Sequence, residues 1–267
     1  MDMKLKDRVA VITGASKGVG KGVARSLAAE GMHIVLLARG REALREAADE
    51  IAGEFKVDTL PLETDVTDLE SVRRAAAAAR ERFGNVHVVV NNAGAAIKRS
   101  DREITWDDSD WINQVQIKSV GALRMIREFL PLIARDGSGR IINIAGASGT
   151  MAWMPALTYG FNNAALMHVT GYLAADLAND NITVNAIVPG LVGTEWRDTW
   201  AEGMAEQAGK TPEQWLRDFC LSKGILSGRW GRVEEIGDLA AFIASDRGRY
   251  INGAKIAIDG GLTVNAR

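Results

Sequence analysis

The sequence predicts an α/β fold, a parallel sheet covered by helices on both faces, and three observations predict it. Short apolar runs recur along the chain, amphipathic helical stretches alternate with them, and the first run leads directly into a glycine-rich turn. The runs are VAVIT (9–13), HIVLLA (33–38), VHVVVN (86–91), RIINIA (140–145), ITVNAIV (182–188) and AKIAID (254–259), each strand-like in length and composition. Between them, KGVARSLAAEG and LESVRRAAAAARERFG are rich in Ala, Arg and Glu and close on Gly31 and Gly84, residues suited to stop a helix. Strand then helix, repeated, requires crossover connections and so a parallel sheet buried on both sides. The alanine run 75–79 reads as solvated helix.

Composition bounds what the chain does. At 267 residues, 47% hydrophobic and 25% charged, it suits one large domain, 1–267, more than two small ones. There is no repeat at a solenoid period and no linker rich in Pro, Gly or Ser. Lys and Arg number 32 against 34 Asp and Glu, a net charge of −2, which argues against nucleic acid or an acidic membrane and for a small-molecule substrate. The single Cys220 excludes an internal disulfide and fits a reducing compartment, so a soluble cytoplasmic protein is expected. Neither a signal-peptide core nor a run of membrane-spanning length is present, and no metal is expected.

The first strand-to-helix turn is TGASKGVG (13–20). Gly14, Gly18 and Gly20 let the backbone turn tightly and approach a pyrophosphate seated on the positive end of the next helix. With DVT (65–67), NNAG (91–94), PGLVGT (189–194) and the closing GRVEEIGDLAAFIASD and INGAKIAIDGG, the chain resembles the short-chain dehydrogenase/reductase family over essentially its full length. The resemblance implies a three-layer doubly wound Rossmann fold with a parallel sheet of about seven strands. It implies a nicotinamide cofactor held by Gly14, Ser16, Lys17, Gly18, Val19 and Gly20, by Asp65 and Val66 at the adenine, and by Asn92, Ala93 and Gly94. Tyr159, Asn163, Pro189, Gly190, Val192 and Thr194 would complete its site. A homotetramer is the expected assembly, with a dimer as runner-up. Where an NAD-specific site carries an acid for the ribose 2′-hydroxyl, this chain has Ala38; Arg39 follows, and Lys17 stands in the glycine turn. Two cations facing a 2′-phosphate favour NADP(H) over NAD(H).

The chemistry departs from the pattern. The family uses a tyrosine as general acid/base, a lysine four residues later, a serine thirteen residues earlier and an asparagine in the middle of the fourth helix. Here the tyrosine is Tyr159, but those other positions fall on Asn163, Gly146 and Lys118. A free phenol titrates at about 10, so without a neighbouring cation its phenolate near neutrality is on the order of a thousandth of the population. A missing hydroxyl donor at a reacting oxygen costs roughly 3 to 4 kcal/mol in comparable sites. Yet Asn and Lys have exchanged places, which points to a charge moved to Lys118 and not lost. The competing reading has Lys118 snorkelling to solvent or pairing with an acid while Asn163 serves the cofactor ribose. For the serine, Ser148 projects to the same side as Gly146 if the chain stays extended, with Thr150 second; either is otherwise an ordinary loop residue.

The stretch at about 191–226 is amphipathic and carries Trp196, Trp200, Met204, Trp215 and Phe219. In the family such an insertion forms a mobile lid over the substrate. With Gly146, Ser148, Trp153 and Met154 as further pocket residues, Trp196 and Trp200 favour an apolar or aromatic substrate; Arg197 is the alternative, as a carboxylate ligand. The expected function is an NADP(H)-dependent oxidoreductase acting on a C=O, C=N or activated C=C bond. Two alternatives stay open: a cofactor-binding protein with decayed activity, serving as a regulatory or scaffold subunit, and a lyase or isomerase on the same fold.

Overall fold

A computed structural model describes residues 3–94, 102–154 and 156–265, the side chains of 195, 196 and 265 excepted. Its sheet has seven parallel strands: β1 (Val9–Thr13), β2 (His33–Ala38), β3 (Thr59–Glu63), β4 (Val88–Asn91), β5 (Arg140–Ile144), β6 (Thr183–Pro189) and β7 (Lys255–Ile258). They lie in the order β3-β2-β1-β4-β5-β6-β7. In the register Ile12 stands opposite Leu36 of β2 and Val90 of β4. The order reverses between β1 and β4, the switch point beyond whose carboxyl-terminal strand ends parallel sheets of this kind form their ligand crevice.

Period-two alternation along the strands splits the core. One cluster joins Ile12, Leu36, Val90 and Ile142 to α1 (Gly18–Ala29), α2 (Arg41–Phe55) and α9 (Val233–Ala244). The other joins Val11, Val35, Val89 and Ile141 to α3 (Leu69–Phe83), α5 (Gly121–Phe129) and α6 (Leu157–Asp176). Phe129 is fully enclosed in this second layer, and truncating such a side chain to Ala costs about 3–5 kcal/mol. The alanine run 75–79 is not a solvated surface: Ala75, Ala76 and Ala79 are buried, their short side chains facing the second core cluster.

β3 was not among the apolar runs, for a physical reason. Its sequence TLPLE carries Pro61 and is only partly buried, both consistent with its place at the sheet's edge. Gly84, with φ of +73°, caps α3, and Gly31, at +82°, follows the end of α1.

Two features position the site. α4 (Asp108–Val115) and α5 run on through a π turn at Gln116–Val120, which carries Lys118. Beyond β6, α7 (Glu195–Gln207) and α8 (Pro212–Ser222) form a small aromatic layer of their own. There the Trp200 ring packs edge-on against Trp215 and Phe219 at 5.2 and 5.5 Å and stacks with Trp230 at 6.3 Å. Among the described residues no helix is long and apolar enough to cross a membrane.

Candidate active site

The crevice starts with the glycine turn. Gly14 and Gly18 have φ of +66° and +57°, and a β-carbon at Gly20 would collide with the Gly14 carbonyl oxygen, so the turn closes onto α1 only with glycine there. α1 begins without a side-chain cap and with no acid in its first turn, leaving its amides to an outside anion. Lys17 and Arg39 are exposed, and neither side chain forms an ion pair or hydrogen bond among the described residues. Ser16 and Val19 lie in the same turn, and Thr194 stands across from it, its methyl 3.7 Å from where a Gly18 β-carbon would be. These residues fit a dinucleotide with an extra phosphate.

NNAG does structural work as well. Asn92 donates its side-chain amide to the carbonyls of Thr13 and Gly14 (2.9 and 3.3 Å), while Thr13 Oγ1 accepts from the backbone amides of Asn92 and Ala93 (both 2.9 Å). The asparagine side chain thus fixes the glycine turn from the neighbouring strand. Asp65 accepts from the Thr67 amide and hydroxyl (both 2.8 Å), and Val66 packs beneath Gly121. Gly190 lies against Asp259, and Gly193, beside Val192, donates its amide to the Gly231 carbonyl at 2.8 Å.

Tyr159 is the third residue of α6, half-buried at the crevice. The helix has Ala156 at its N-cap and no side-chain cap of its own. Glu103, from the segment before α4, supplies one: its carboxylate accepts from the Thr158 amide and hydroxyl, both at 2.7 Å. Sequence reasoning missed Glu103; the only signal was a helix start with no capping residue.

Lys118 is 5% exposed, so the snorkelling alternative is excluded. Its ammonium lies 4.9 Å from the centre of the Tyr159 ring and donates to the Ile144 carbonyl at 3.1 Å; among the described residues no carboxylate pairs with it. Gly94 makes room, because a β-carbon there would stand 3.1 Å from Lys118 Cδ. The π turn and the Gly94 loop thus hold this cation against the tyrosine.

Asn163 is fully buried. Its Nδ2 donates to Ser148 Oγ at 3.0 Å, and its Oδ1 has no partner among the described residues. Such an orphaned oxygen costs about 1–3 kcal/mol, which a hydroxyl donor such as a ribose would offset. With its oxygen accepting from Asn163, the Ser148 O–H is available to donate. Gly146 lies between them: a β-carbon there would stand 2.9 Å from Asn163 Nδ2 and 3.5 Å from Tyr159 Cε1. Asn163 therefore occupies part of the space a serine at position 146 would need. Thr150 donates to the Ala147 carbonyl at 2.8 Å and is exposed.

The pocket residues separate. Trp153 packs on the α7–α8 aromatic layer, Met154 is 84% exposed, Trp200 belongs to that layer's own packing, and the side chain of Trp196 lies outside the described residues. Arg197 projects from the start of α7 and donates Nη1 to the Val192 carbonyl at 2.9 Å. Burial lowers its pKa, against the opposing influence of Tyr159 and then Asp198. Cys220 is buried, and desolvation pushes its thiol up to about 11. No group of His, Cys, Asp and Glu among the described residues is placed to hold a metal ion.

Residues 14–263 match the family model described as enoyl-(acyl carrier protein) reductase. The chain is 36% identical over 263 residues to the oxidoreductase UcpA of Salmonella typhimurium, covering 98% of this chain and 96% of that protein. It is 33% identical over 257 residues to a D-beta-hydroxybutyrate dehydrogenase of Rhizobium meliloti, covering 96% and 98%. Among solved structures, L-sorbose reductase from Gluconobacter frateurii, complexed with NADPH and L-sorbose, superimposes with a TM-score of 0.91 at 32% identity, covering 98% of this chain and 99% of that one. With the crevice, the glycine turn and Tyr159 in place, the chain belongs to the short-chain dehydrogenase/reductase family and is an oxidoreductase of that type.

Proposed function

We propose that the protein is an NADP(H)-dependent oxidoreductase whose proton-transfer site has been rebuilt around Lys118, acting on a C=O, C=N or activated C=C bond of an apolar or aromatic small molecule. The observation that carries this reading is the buried Lys118 ammonium over the Tyr159 ring. NADPH, when bound, supplies the hydride. The glycine turn would hold the pyrophosphate, Lys17 and Arg39 the 2′-phosphate, and Asn163 Oδ1, which has no partner among the described residues, would accept from a ribose hydroxyl. Tyr159 gives its phenolic proton to the carbonyl oxygen, the imine nitrogen or, for an activated C=C, the α-carbon, or takes it back in the oxidative direction. Lys118 stabilises the phenolate left behind, and Ser148 donates to the developing negative charge in place of the serine absent at Gly146. α7 and α8, in the stretch 191–226, act as the lid. Exposed Leu123 on α5 and Phe161 and Tyr172 on α6 support pairing with further copies into a homotetramer. The test is a screen of the purified protein with NADPH against ketones, imines and enones, followed by loss of absorbance of the reduced cofactor. No oxidation with any of the three classes overturns the reading and favours a decayed, cofactor-binding subunit.

A further inference from the structure

Arg197 is a charged group at the crevice to which the proposed chemistry assigns no task. Several other arginines pair with acids: Arg25 with Glu54, Arg82 with Asp58, Arg135 with Asp180, and even fully enclosed Arg140 with Asp246 at 3.7 Å, whereas partly buried Arg124 uses its fork on the Val66 and Gln116 carbonyls and the Gln116 side chain. Arg197 has no such partner among the described residues, although it is partly buried. A guanidinium carries five donors in a rigid fork, and among the described residues only Nη1 is engaged, by the Val192 carbonyl of the PGLVGT loop. That bond anchors the group while leaving the rest of the fork open. The anchoring carbonyl and the first turn of α7 fix it on the lid side of the crevice. Tyr159 first, and its chain neighbour Asp198 second, act against the lowering of its pKa by burial, so both lie within electrostatic reach of the guanidinium. Trp153, Leu191 and Met151, packed on the lid cluster, supply apolar surface in the same part of the molecule. A cation partly removed from water and in ion-pair contact with no acid is costly unless an anion arrives with the ligand.

We infer that Arg197 binds a substrate carboxylate, and that the substrate is an apolar or aromatic oxo acid, or the matching hydroxy acid, whose carbonyl meets Tyr159 while its carboxylate meets the guanidinium fork. This rests on the oxidoreductase reading of the same crevice. The probes are phenylacetate and its neutral counterpart phenylacetamide, titrated calorimetrically into the NADP+-loaded protein, and phenylpyruvate and its methyl ester as substrates. Phenylacetate is expected to bind at least about 10-fold more tightly than the amide, Arg197→Met to weaken it about 10- to 100-fold, and Arg197→Lys to keep part of the preference. The ratio of kcat/KM for the acid over the ester should fall in Arg197→Met by a similar factor. Equal affinity for acid and amide in the unmodified protein overturns the inference. So does an Arg197→Met variant that weakens NADP+ and not phenylacetate, which would assign the guanidinium to the cofactor, or one whose pH–rate profile moves alike for acid and ester, which would assign it to Tyr159. Selective carboxylate binding without NADPH oxidation by any carbonyl sinks the oxidoreductase reading and, with it, the assignment of an oxo-acid substrate, leaving only Arg197 as a carboxylate site; turnover of neutral carbonyls with no preference for acids sinks the Arg197 assignment and leaves the oxidoreductase reading standing.

Discussion

The two sides of the crevice are built from different materials. On the β1–β4 side the working parts are backbone: positive-φ glycines, open amides at the start of α1, and a turn stitched by Asn92 and Thr13. On the β5–α6 side they are side chains: Lys118, Tyr159, Asn163 and Ser148, reaching in from three separate segments. A backbone site depends on glycines at set positions and leaves little latitude. A side-chain site can move a charge from one helix to the facing one and still deliver it to the same tyrosine.

The largest effects should therefore come from the side-chain half. Tyr159→Phe is expected to reduce proton-coupled turnover by about 100-fold or more, to the detection limit, with cofactor affinity little changed. Lys118→Asn should be severely impaired as well, and combining it with Asn163→Lys should recover activity well beyond the sum of the single changes. Steady-state assays of the four proteins decide it. Full activity with an unaltered pH profile in Lys118→Asn would show that the charge was never relocated. Gly146→Ser sharpens the same point. Gly146 has extended backbone, φ 179°, that any residue adopts, so only the Asn163 amide stands in the way. Alone it should crowd that amide and lower kcat, not raise it.

Next in size is the backbone half. Gly20→Ala drives a methyl into the Gly14 carbonyl and should cost about 1–3 kcal/mol of stability together with most of the cofactor affinity, read by thermal unfolding with and without NADPH. Undiminished stabilisation by NADPH would mean the turn is not the pyrophosphate site. Arg39→Ala should weaken NADPH about 10- to 100-fold relative to NADH. Equal affinities for the two cofactors in the unmodified protein would refute the NADP(H) assignment.

The same difference explains what was legible beforehand. The glycine turn, NNAG and PGLVGT are contiguous motifs whose partners lie in the backbone, so reading along the chain recovers them. The apolar runs likewise gave the strands, except β3, where Pro61 and edge exposure dilute the pattern. The exchange of Lys and Asn was visible in the residues, but its direction was not. Only the π turn at Gln116–Val120 and the room left by Gly94 distinguish a lysine held at the tyrosine from one in solvent. The role of Glu103 depends on a contact 55 residues away that no local spacing announces. The aromatic residues of 191–226 suggested a substrate wall, whereas Trp200, Trp215 and Phe219 turn largely toward one another, because three large rings on two short helices bury most area by stacking together.

The smallest expected effect tests whether the comparison is confined to the crevice. His87 lies just before β4, at the end of the sheet opposite the site, and its Nδ1 accepts a hydrogen bond from the Val9 amide at 3.0 Å. That bond requires a neutral imidazole, and burial, then the nearby Arg8, lower its pKa from about 6.5, against a smaller opposing influence of Asp136. The sign follows from linkage. Below about 6.5 the unfolded chain takes up a proton at His87 that the folded chain resists, so its contribution is complete above that pH and is lost as pH falls below it. The amount is on the order of one hydrogen bond, about 1 kcal/mol. His87→Asn keeps an acceptor near the Nδ1 position but does not titrate. Thermal unfolding of the two proteins at pH 8 and pH 5.5 should therefore show a smaller drop in the variant, with the NADPH-induced gain in stability unchanged at pH 8, since the crevice lies at the far end of the strands. Equal drops in both proteins would remove His87 from the account. A lost NADPH effect would mean that the two ends of β4 are coupled, and that the backbone half of the site is less self-contained than its hydrogen bonds imply.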